Sequence, residues 1–202
     1  HGDDATGLFF MRVHFAATPH LADAATLQSL FAHVRQQFDM QAHIHALTRR
    51  ARVLLMVSKF GHCLNDLLFR WKSGWLAVDI PAIASNHRDF ESLAGSYGIP
   101  FHYLPRGDAQ DPNAKYAQEQ QLQSLIERER VDLVVLARYM QILSPQFCHA
   151  LAGRAINIHH SFLPSFKGAR PYAQAHARGV KLIGATAHYV TADLDEGPII
   201  EQ

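Results

Sequence analysis

The segment from Ile156 to Pro164, INIHHSFLP, places polar side chains directly after apolar ones. Its first part, Ala155 to His159, alternates as a strand, in which side chains two positions apart point to the same face. Asn157 and His159 are therefore predicted to share a face, whereas His160 either faces away from His159 or lies in the following loop. An amide beside an imidazole suits acyl chemistry, because the amide N–H can bind a developing oxyanion and the imidazole can transfer a proton.

A carboxylate that orients the imidazole would complete such a site. In open α/β sheets, ligands bind beyond the carboxyl ends of the strands, and Ala155 to His159 runs into such an end. The chain offers Asp193, Asp195 and Glu196 in the turn-rich loop TADLDEGP, which follows another predicted strand. The residues alone do not decide between Asp193 and Asp195.

Two other kinds of site fit these residues less well. His159, His160, His176 and His188 offer nitrogen ligands, but they show no HxxxH or HxH spacing with a nearby cysteine, so we expect no metal. Ser161 lacks the Gly-x-Ser-x-Gly setting of a nucleophilic serine. His188 either borders the site or is a structural histidine.

The composition argues against several classes of protein. The chain has 202 residues, 48% of them apolar and 18% charged, and a formal net charge of +1. This balance argues against a nucleic-acid surface. No apolar run approaches the ~20 residues of a membrane helix and no signal peptide is visible, so we expect a cytoplasmic protein that does not bind a membrane. Cys63 and Cys148 form no CxxC pair and predict neither a disulfide framework nor a zinc site.

The first 48 residues predict a partial α+β module. Leu8 to Phe15 and Met40 to Leu47 are predicted as strands, because each contains alternating apolar residues, and Asp23 to Phe38 carries an apolar stripe at helical spacing. Two strands and one helix cannot close a core alone, so we expect the beginning of this module to be missing.

Residues 49–202 predict an α/β domain with a mostly parallel sheet, because strands alternate with helices. The predicted strands are Val53 to Val57, Trp75 to Ser85, Val131 to Ala137, Arg154 to Ile158, Lys181 to Val190 and Ile199 onward. The predicted helices are Cys63 to Trp71, Asp89 to Tyr97, Ala114 to Glu129 and Ser144 to Leu151. Pro81 places its strand near an edge or at a bulge. The last strand is unfinished at Gln202, so we expect a truncated C-terminus.

The motifs NIHHSFLP, from Asn157, and LDEGP, from Leu194, resemble the formyltransferase fold that uses 10-formyltetrahydrofolate. The resemblance implies a Rossmann-like formyltransferase sheet and a catalytic set of Asn157, His159 and Asp195, and so it selects Asp195 over Asp193. The segment ARYMQILSP resembles the part of that family that lines the pteridine pocket. The folate contacts implied in this way are Met140, Gln141, Ile142, Leu143, Ala192, Asp193 and Leu194. No cofactor is implied, because the folate is the substrate.

Three branches of this family differ in ways that the sequence can test. Glycinamide ribonucleotide formyltransferases carry a Gly- and Asn-rich turn for a phosphate, whereas Ser58 to Leu64 has one glycine and a bulky phenylalanine. Methionyl-tRNA formyltransferases add a basic C-terminal domain, which is not visible here. The runs SKFGHCLNDLL, LARYMQILSP and INIHHSFLPSFKGARPY are most similar to the formyltetrahydrofolate deformylases, which carry an ACT-like module before the catalytic domain.

This resemblance implies hydrolysis of 10-formyltetrahydrofolate to formate and tetrahydrofolate, which supplies formate for purine synthesis and balances one-carbon pools. It also implies a homo-oligomer joined through the ACT-like module, with an amino acid as effector. Lys59 and Arg170 are either contacts for the glutamate tail of folate or solvated charges. The alternatives are a formyltransferase of the glycinamide ribonucleotide type and a non-catalytic folate or amino-acid sensor.

Overall fold

The computed structural model describes residues 2–3, 7–18, 21, 23–108, 110–111, 113–168 and 170–202. The chain divides into two compact units, His1–Arg49 and Arg50–Gln202. All of the predicted site residues lie in the second unit. Among the residues that the structure describes, no helix is both long and apolar enough to cross a membrane.

Among its described residues, the first unit contains one pair of short strands and one helix. Strands β1 (Gly2–Asp3) and β2 (Leu8–Phe9) pair antiparallel, and helix α1 spans Ala24–Gln37. The predicted helix is confirmed, with Asp23 as its N-cap because the carboxylate accepts the Thr26 N–H at 2.9 Å. The predicted strand at residues 8–15 is wrong beyond its first two residues, and the one at 40–47 is wrong. Alternating apolar residues form a strand only beside a partner, and within the described ranges only Leu8 and Phe9 of these two segments have one, in β1.

The second unit is a seven-stranded sheet with helices between its strands. Its strands are β3 (Ala51–Val57), β4 (Val78–Ser85), β5 (Phe101–Tyr103), β6 (Leu133–Leu136), β7 (Ala155–His159), β8 (Thr186–Tyr189) and β9 (Ile199–Glu201). Its helices are α2 (His62–Lys72), α3 (Glu91–Ser96), α4 (Ala114–Arg128), α5 (Pro145–Ala150) and α6 (Pro171–Ala177). The strand order is β5-β4-β3-β6-β7-β8-β9. The first five strands in this order are parallel to one another, β8 is antiparallel to β7, and β9 is antiparallel to β8. The α/β class and mostly parallel sheet predicted from the sequence are confirmed.

Several elements differ from their predicted bounds. The strands predicted from residues 75 and 181 begin only at 78 and 186, and neither β5 nor α6 was predicted. Pro81 lies at a bulge, because Arg52 pairs with Asp79 while Leu54 pairs with Ala82, so one extra residue of β4 is accommodated there. Strand β4 is internal, with β5 on its outer side, but β5 pairs with it only from residue 83 onward.

Strand β3 is buried on both faces, which explains its continuous apolar sequence. Leu54 and Met56 lie in one apolar cluster with side chains of α4, whereas Val53, Leu55 and Val57 lie in a second cluster with side chains of α2. The sheet is thus a packed central layer that fixes where β6 and β7 end.

We expect Leu54→Ala to lower the free energy of unfolding of the second unit by ~2–5 kcal/mol, because it removes a fully buried side chain and leaves a cavity. Leu182→Ala is the matched control, since this leucine is 78% exposed. Denaturant unfolding followed by tryptophan fluorescence measures the change, because Trp71 and Trp75 both lie in the second unit. Equal effects of the two substitutions would contradict this account of the core.

Candidate active site

A cavity of about 290 Å³ lies beside β6, β7 and β8, and all of the predicted site residues line it. These residues are Asn157, His159 and Asp195, the segments Met140, Gln141, Ile142, Leu143 and Ala192, Asp193, Leu194, and His188. Lys59 and Arg170, the alternative contacts for a folate tail, are not among the lining residues.

His159 is the last residue of β7 and its ring is held from both sides. Its Nε2 lies 3.1 Å from the carbonyl oxygen of Phe166, so this nitrogen carries a proton and donates it to the carbonyl. Its Nδ1 lies 3.4 Å from Oδ1 of Asp195, and both side chains are almost fully buried. A ring protonated on both nitrogens would donate to both the Phe166 carbonyl and the Asp195 carboxylate. In the neutral ring, Nε2 carries the proton and Nδ1 is the nitrogen that can accept another.

Asp195 reaches His159 through a loop that folds back from the sheet. Strand β8 is antiparallel to β7, so Tyr189 near its end lies opposite Ile156, at the start of β7. The loop between β8 and β9 returns the carboxylate to the histidine. The Gly168 N–H donates to its Oδ2 at 3.1 Å, which leaves Oδ1 facing the imidazole.

His188 sets the orientation of the Asn157 amide. Its Nδ1 lies 2.9 Å from the carbonyl oxygen of Tyr189, which makes Nδ1 the protonated nitrogen and Nε2 an acceptor. Nε2 then accepts an N–H from Nδ2 of Asn157 at 3.1 Å, because β7 and β8 pair these two residues directly. Nε2 also lies 3.8 Å from Oδ1 of Asp195, too far for a hydrogen bond. Of the two predicted alternatives for His188, the structure places it at the border of the cavity.

His160 lies in the loop directly after β7, and its ring is 5.4 Å from that of His159 and 5.4 Å from that of Tyr172. Burial lowers the pKa of His160 to about 4, with further lowering by the positive charge of Arg138. The ring also lines the cavity, so His160 is a neutral N–H donor there at neutral pH.

The loop of predicted folate contacts is fixed at both ends by residues that the sequence analysis missed. At one end, the Met140 N–H donates to Oγ of the buried Ser58 at 2.9 Å. At the other end, the buried carboxylate of Glu119 accepts hydrogen bonds from the N–H and the hydroxyl of Ser144. Only the position of Ser58 directly after a buried strand could have signalled its role.

Three apolar side chains at the rim of the cavity are exposed: Met140, Ile142 and Leu194. Together with the buried Leu143 they provide an apolar surface next to the polar set of Asn157, His159 and Asp195. Across the ranges that the structure describes, no three His, Cys, Asp or Glu side chains are grouped so that they could hold a metal ion.

We expect Gly197→Ala to reduce the activity of the site severely, because a Cβ at this position would collide with the carbonyl oxygen of Tyr189. The loop would have to move, and Asp195 lies in it two residues away. Gly95→Ala is the control, since this exposed helical glycine has nothing within 4 Å of the added Cβ. Turnover and thermal unfolding of both variants check the expectation, which fails if Gly197→Ala keeps full turnover.

We also expect the unfolding free energy to decrease as the pH falls through the range from 6.5 to about 4, in part because of His160. The unfolded chain binds a proton at this histidine near its ordinary pKa of 6.5, whereas in the folded chain the pKa is about 4. The unfolded state therefore binds more protons in this range, and the contribution is fully present only above it. His160→Gln should flatten the pH dependence, and NMR titration of the ring should give an inflection well below 6.5.

Comparison with known proteins assigns the family. The Formyl transferase family model matches residues 51–202. The formyltetrahydrofolate deformylase of Corynebacterium sp. (strain P-1) is 52% identical, over 100% of this chain and 69% of that protein. The one from Bacillus subtilis (strain 168) is 48% identical, over 99% of this chain and 65% of that protein. The chain thus spans about two thirds of the length of these relatives.

Solved structures agree with this assignment. The crystal structure of a formyltetrahydrofolate deformylase from Pseudomonas putida KT2440 matches with a TM-score of 0.88 and 47% identity, over 99% of this chain and 69% of that one. Phosphoribosylglycinamide formyltransferase from Anaplasma phagocytophilum matches less well, with a TM-score of 0.66 and 36% identity over 75% of this chain and 70% of that one. The chain therefore belongs to the formyl transferase family and, within it, to the formyltetrahydrofolate deformylases.

Proposed function

We propose that this chain hydrolyses 10-formyltetrahydrofolate to formate and tetrahydrofolate. The names of its relatives support the proposal. The observation that carries it is the convergence of an amide, an imidazole and a carboxylate, from Asn157, His159 and Asp195, on one cavity.

The reaction replaces the bond between the formyl carbon and N10 of the folate by a bond to a water oxygen. When water adds to the formyl carbon, the carbonyl oxygen becomes an oxyanion. The second N–H of the Asn157 amide is the donor for this oxyanion, because the first is already donated to His188. One such donor typically contributes ~10²–10³ in rate.

Proton transfer is assigned to Nδ1 of His159, because its Nε2 donates to the Phe166 carbonyl. Nδ1 takes a proton from the attacking water, and the adjacent carboxylate of Asp195 stabilises the imidazolium that forms. The imidazolium then returns the proton to N10 as the carbon–nitrogen bond breaks. The products are tetrahydrofolate and formic acid, which ionises to formate at neutral pH. A positioned acid–base group typically contributes ~10²–10⁴ in rate.

The pterin ring of the folate is assigned to the apolar rim formed by Met140, Ile142 and Leu194. The cavity there is also lined by Leu143, Ala192 and Asp193. Exposed apolar side chains grouped at a cavity are typical of a ligand site. Gln141 supports this placement, because its Nε2 is buried and has no acceptor among the described atoms. A nitrogen or oxygen of the pterin ring would provide one. No cofactor is needed, because none of these steps requires redox chemistry or a Lewis acid.

The first unit is proposed to be a partial ACT-like module, residues 1–48, that joins two copies of the protein and binds an amino-acid effector. Its exposed phenylalanines, Phe9, Phe10 and Phe15, support an interface of this kind. The formate produced would serve purine synthesis in the cytoplasm.

Sedimentation of the whole chain tests whether two copies pair, and calorimetric titration with methionine and glycine tests whether either amino acid binds. A monomer that binds neither amino acid would contradict both parts of the proposal for the first unit.

We expect Asn157→Asp, His159→Ala and Asp195→Asn each to lower kcat by ~10²–10⁴ without unfolding the protein, because each removes a donor, a proton carrier or its counter-charge. Formate release from 10-formyltetrahydrofolate measures the effect, and circular dichroism checks the fold. Asp66→Asn and His176→Ala are matched controls, since both residues are exposed and neither lines the cavity.

Three results would contradict the proposal. Near-normal turnover in all three variants would remove the catalytic assignment. Loss of the formyl group only when glycinamide ribonucleotide is added would identify a formyltransferase instead, and binding of folate without any turnover would indicate a sensor.

A further inference from the structure

Arg138 is a wall residue of the cavity that the mechanism does not use. It follows β6 and has φ of +66°, a left-handed conformation that side chains other than glycine, asparagine and aspartate rarely adopt. Its carbonyl oxygen accepts the Ser58 N–H at 3.1 Å, so the backbone is fixed in this conformation at the end of β3. The strained backbone therefore holds an arginine next to the site.

Among the described residues, the buried donors of the Arg138 guanidinium group have no acceptor. Its Cζ lies 5.5 Å from the centre of the Phe60 ring, and Nε and Nη1 are buried without a hydrogen-bond partner in the part of the chain that the structure describes. Arg52, whose side chain is also partly buried, pairs in contrast with the carboxylate of Glu129 at 3.5 Å. Buried donors without acceptors are costly, so an anionic ligand would stabilise this arrangement.

The surroundings of Arg138 suit a small carboxylate. His160 lines the same cavity, and burial keeps its ring neutral at neutral pH, so it can donate an N–H to an oxygen. The proposed hydrolysis would create its carboxylate beside Asn157 and His159, which line this cavity as well. The glutamate tail of folate, in contrast, is separated from N10 by a benzoyl group.

We propose that Arg138 and His160 form a carboxylate subsite that receives the formate released at Asn157 and His159. The inference rests on the proposed hydrolysis for the origin of the formate, but the subsite itself is a binding property that is measured without turnover. By attracting the new anion, the subsite separates it from N10 and opposes the reverse reaction.

Direct binding of ¹³C-formate, followed by NMR at constant ionic strength with chloride as the competing anion, tests the subsite. We expect Arg138→Gln to weaken formate binding by about tenfold or more, because it removes the positive charge. Arg138→Lys should weaken binding less, because lysine keeps the charge and loses only the bidentate N–H geometry of the guanidinium. Arg138→Gly is the second variant: it removes the guanidinium and relieves the left-handed strain, so it keeps the fold. Arg88→Gln is the control, since Arg88 also stacks on an aromatic ring, Tyr103, but lies outside the cavity.

The outcomes separate this proposal from the proposed function. Formate binding that is equal in wild type and Arg138→Gly overturns the subsite, whether or not the wild type is active. Arg138-dependent formate binding in a chain without deformylase activity keeps the subsite and overturns the hydrolysis. If Arg138→Gln instead raises KM for 10-formyltetrahydrofolate but not for 10-formyltetrahydropteroate, which lacks the glutamate, the subsite binds the folate tail and the formate assignment is wrong.

Discussion

The contact between the imidazole of His159 and the carboxylate of Asp195 is the interaction on which the site depends. The two residues are far apart in sequence and belong to a strand end and to a loop that returns over the sheet. Each partner is also held by backbone, the ring by the Phe166 carbonyl and the carboxylate by the Gly168 N–H. Because both backbone groups belong to the segment after β7, that segment positions the imidazole and the carboxylate together.

The sheet supports this arrangement by fixing the ends of its central strands. Strand β3 is buried on both faces and is followed by Ser58, whose hydroxyl holds the loop after β6. Glu119, from α4, holds the other end of the same loop through Ser144. The apolar surface beside Asn157, His159 and Asp195 is therefore attached to the rigid core at two points, although its side chains face solvent.

The parts of the structure that could be predicted from the sequence are those governed by local patterns. The continuous apolar run of β3 and the apolar stripe of α1 predicted these elements. The motif around Asn157, together with the family resemblance, pointed to three residues that the structure places around one cavity. The pairing of Asn157 with His188 could not be predicted, because it depends on the relative direction and the register of β7 and β8. Neither strand's own sequence determines these two properties. Arg138 was missed because its role depends on an unusual backbone angle and on what its side chain lacks.

The backbone of Asp195 is left-handed, with φ of +57°. Aspartate and asparagine tolerate this conformation better than other side chains, because their short polar groups can bond locally. Glutamate would supply the same acid, but on a longer stem and with a greater conformational penalty. The shape of the main chain thus restricts which acid can evolve at this position, independently of the chemistry that the acid performs.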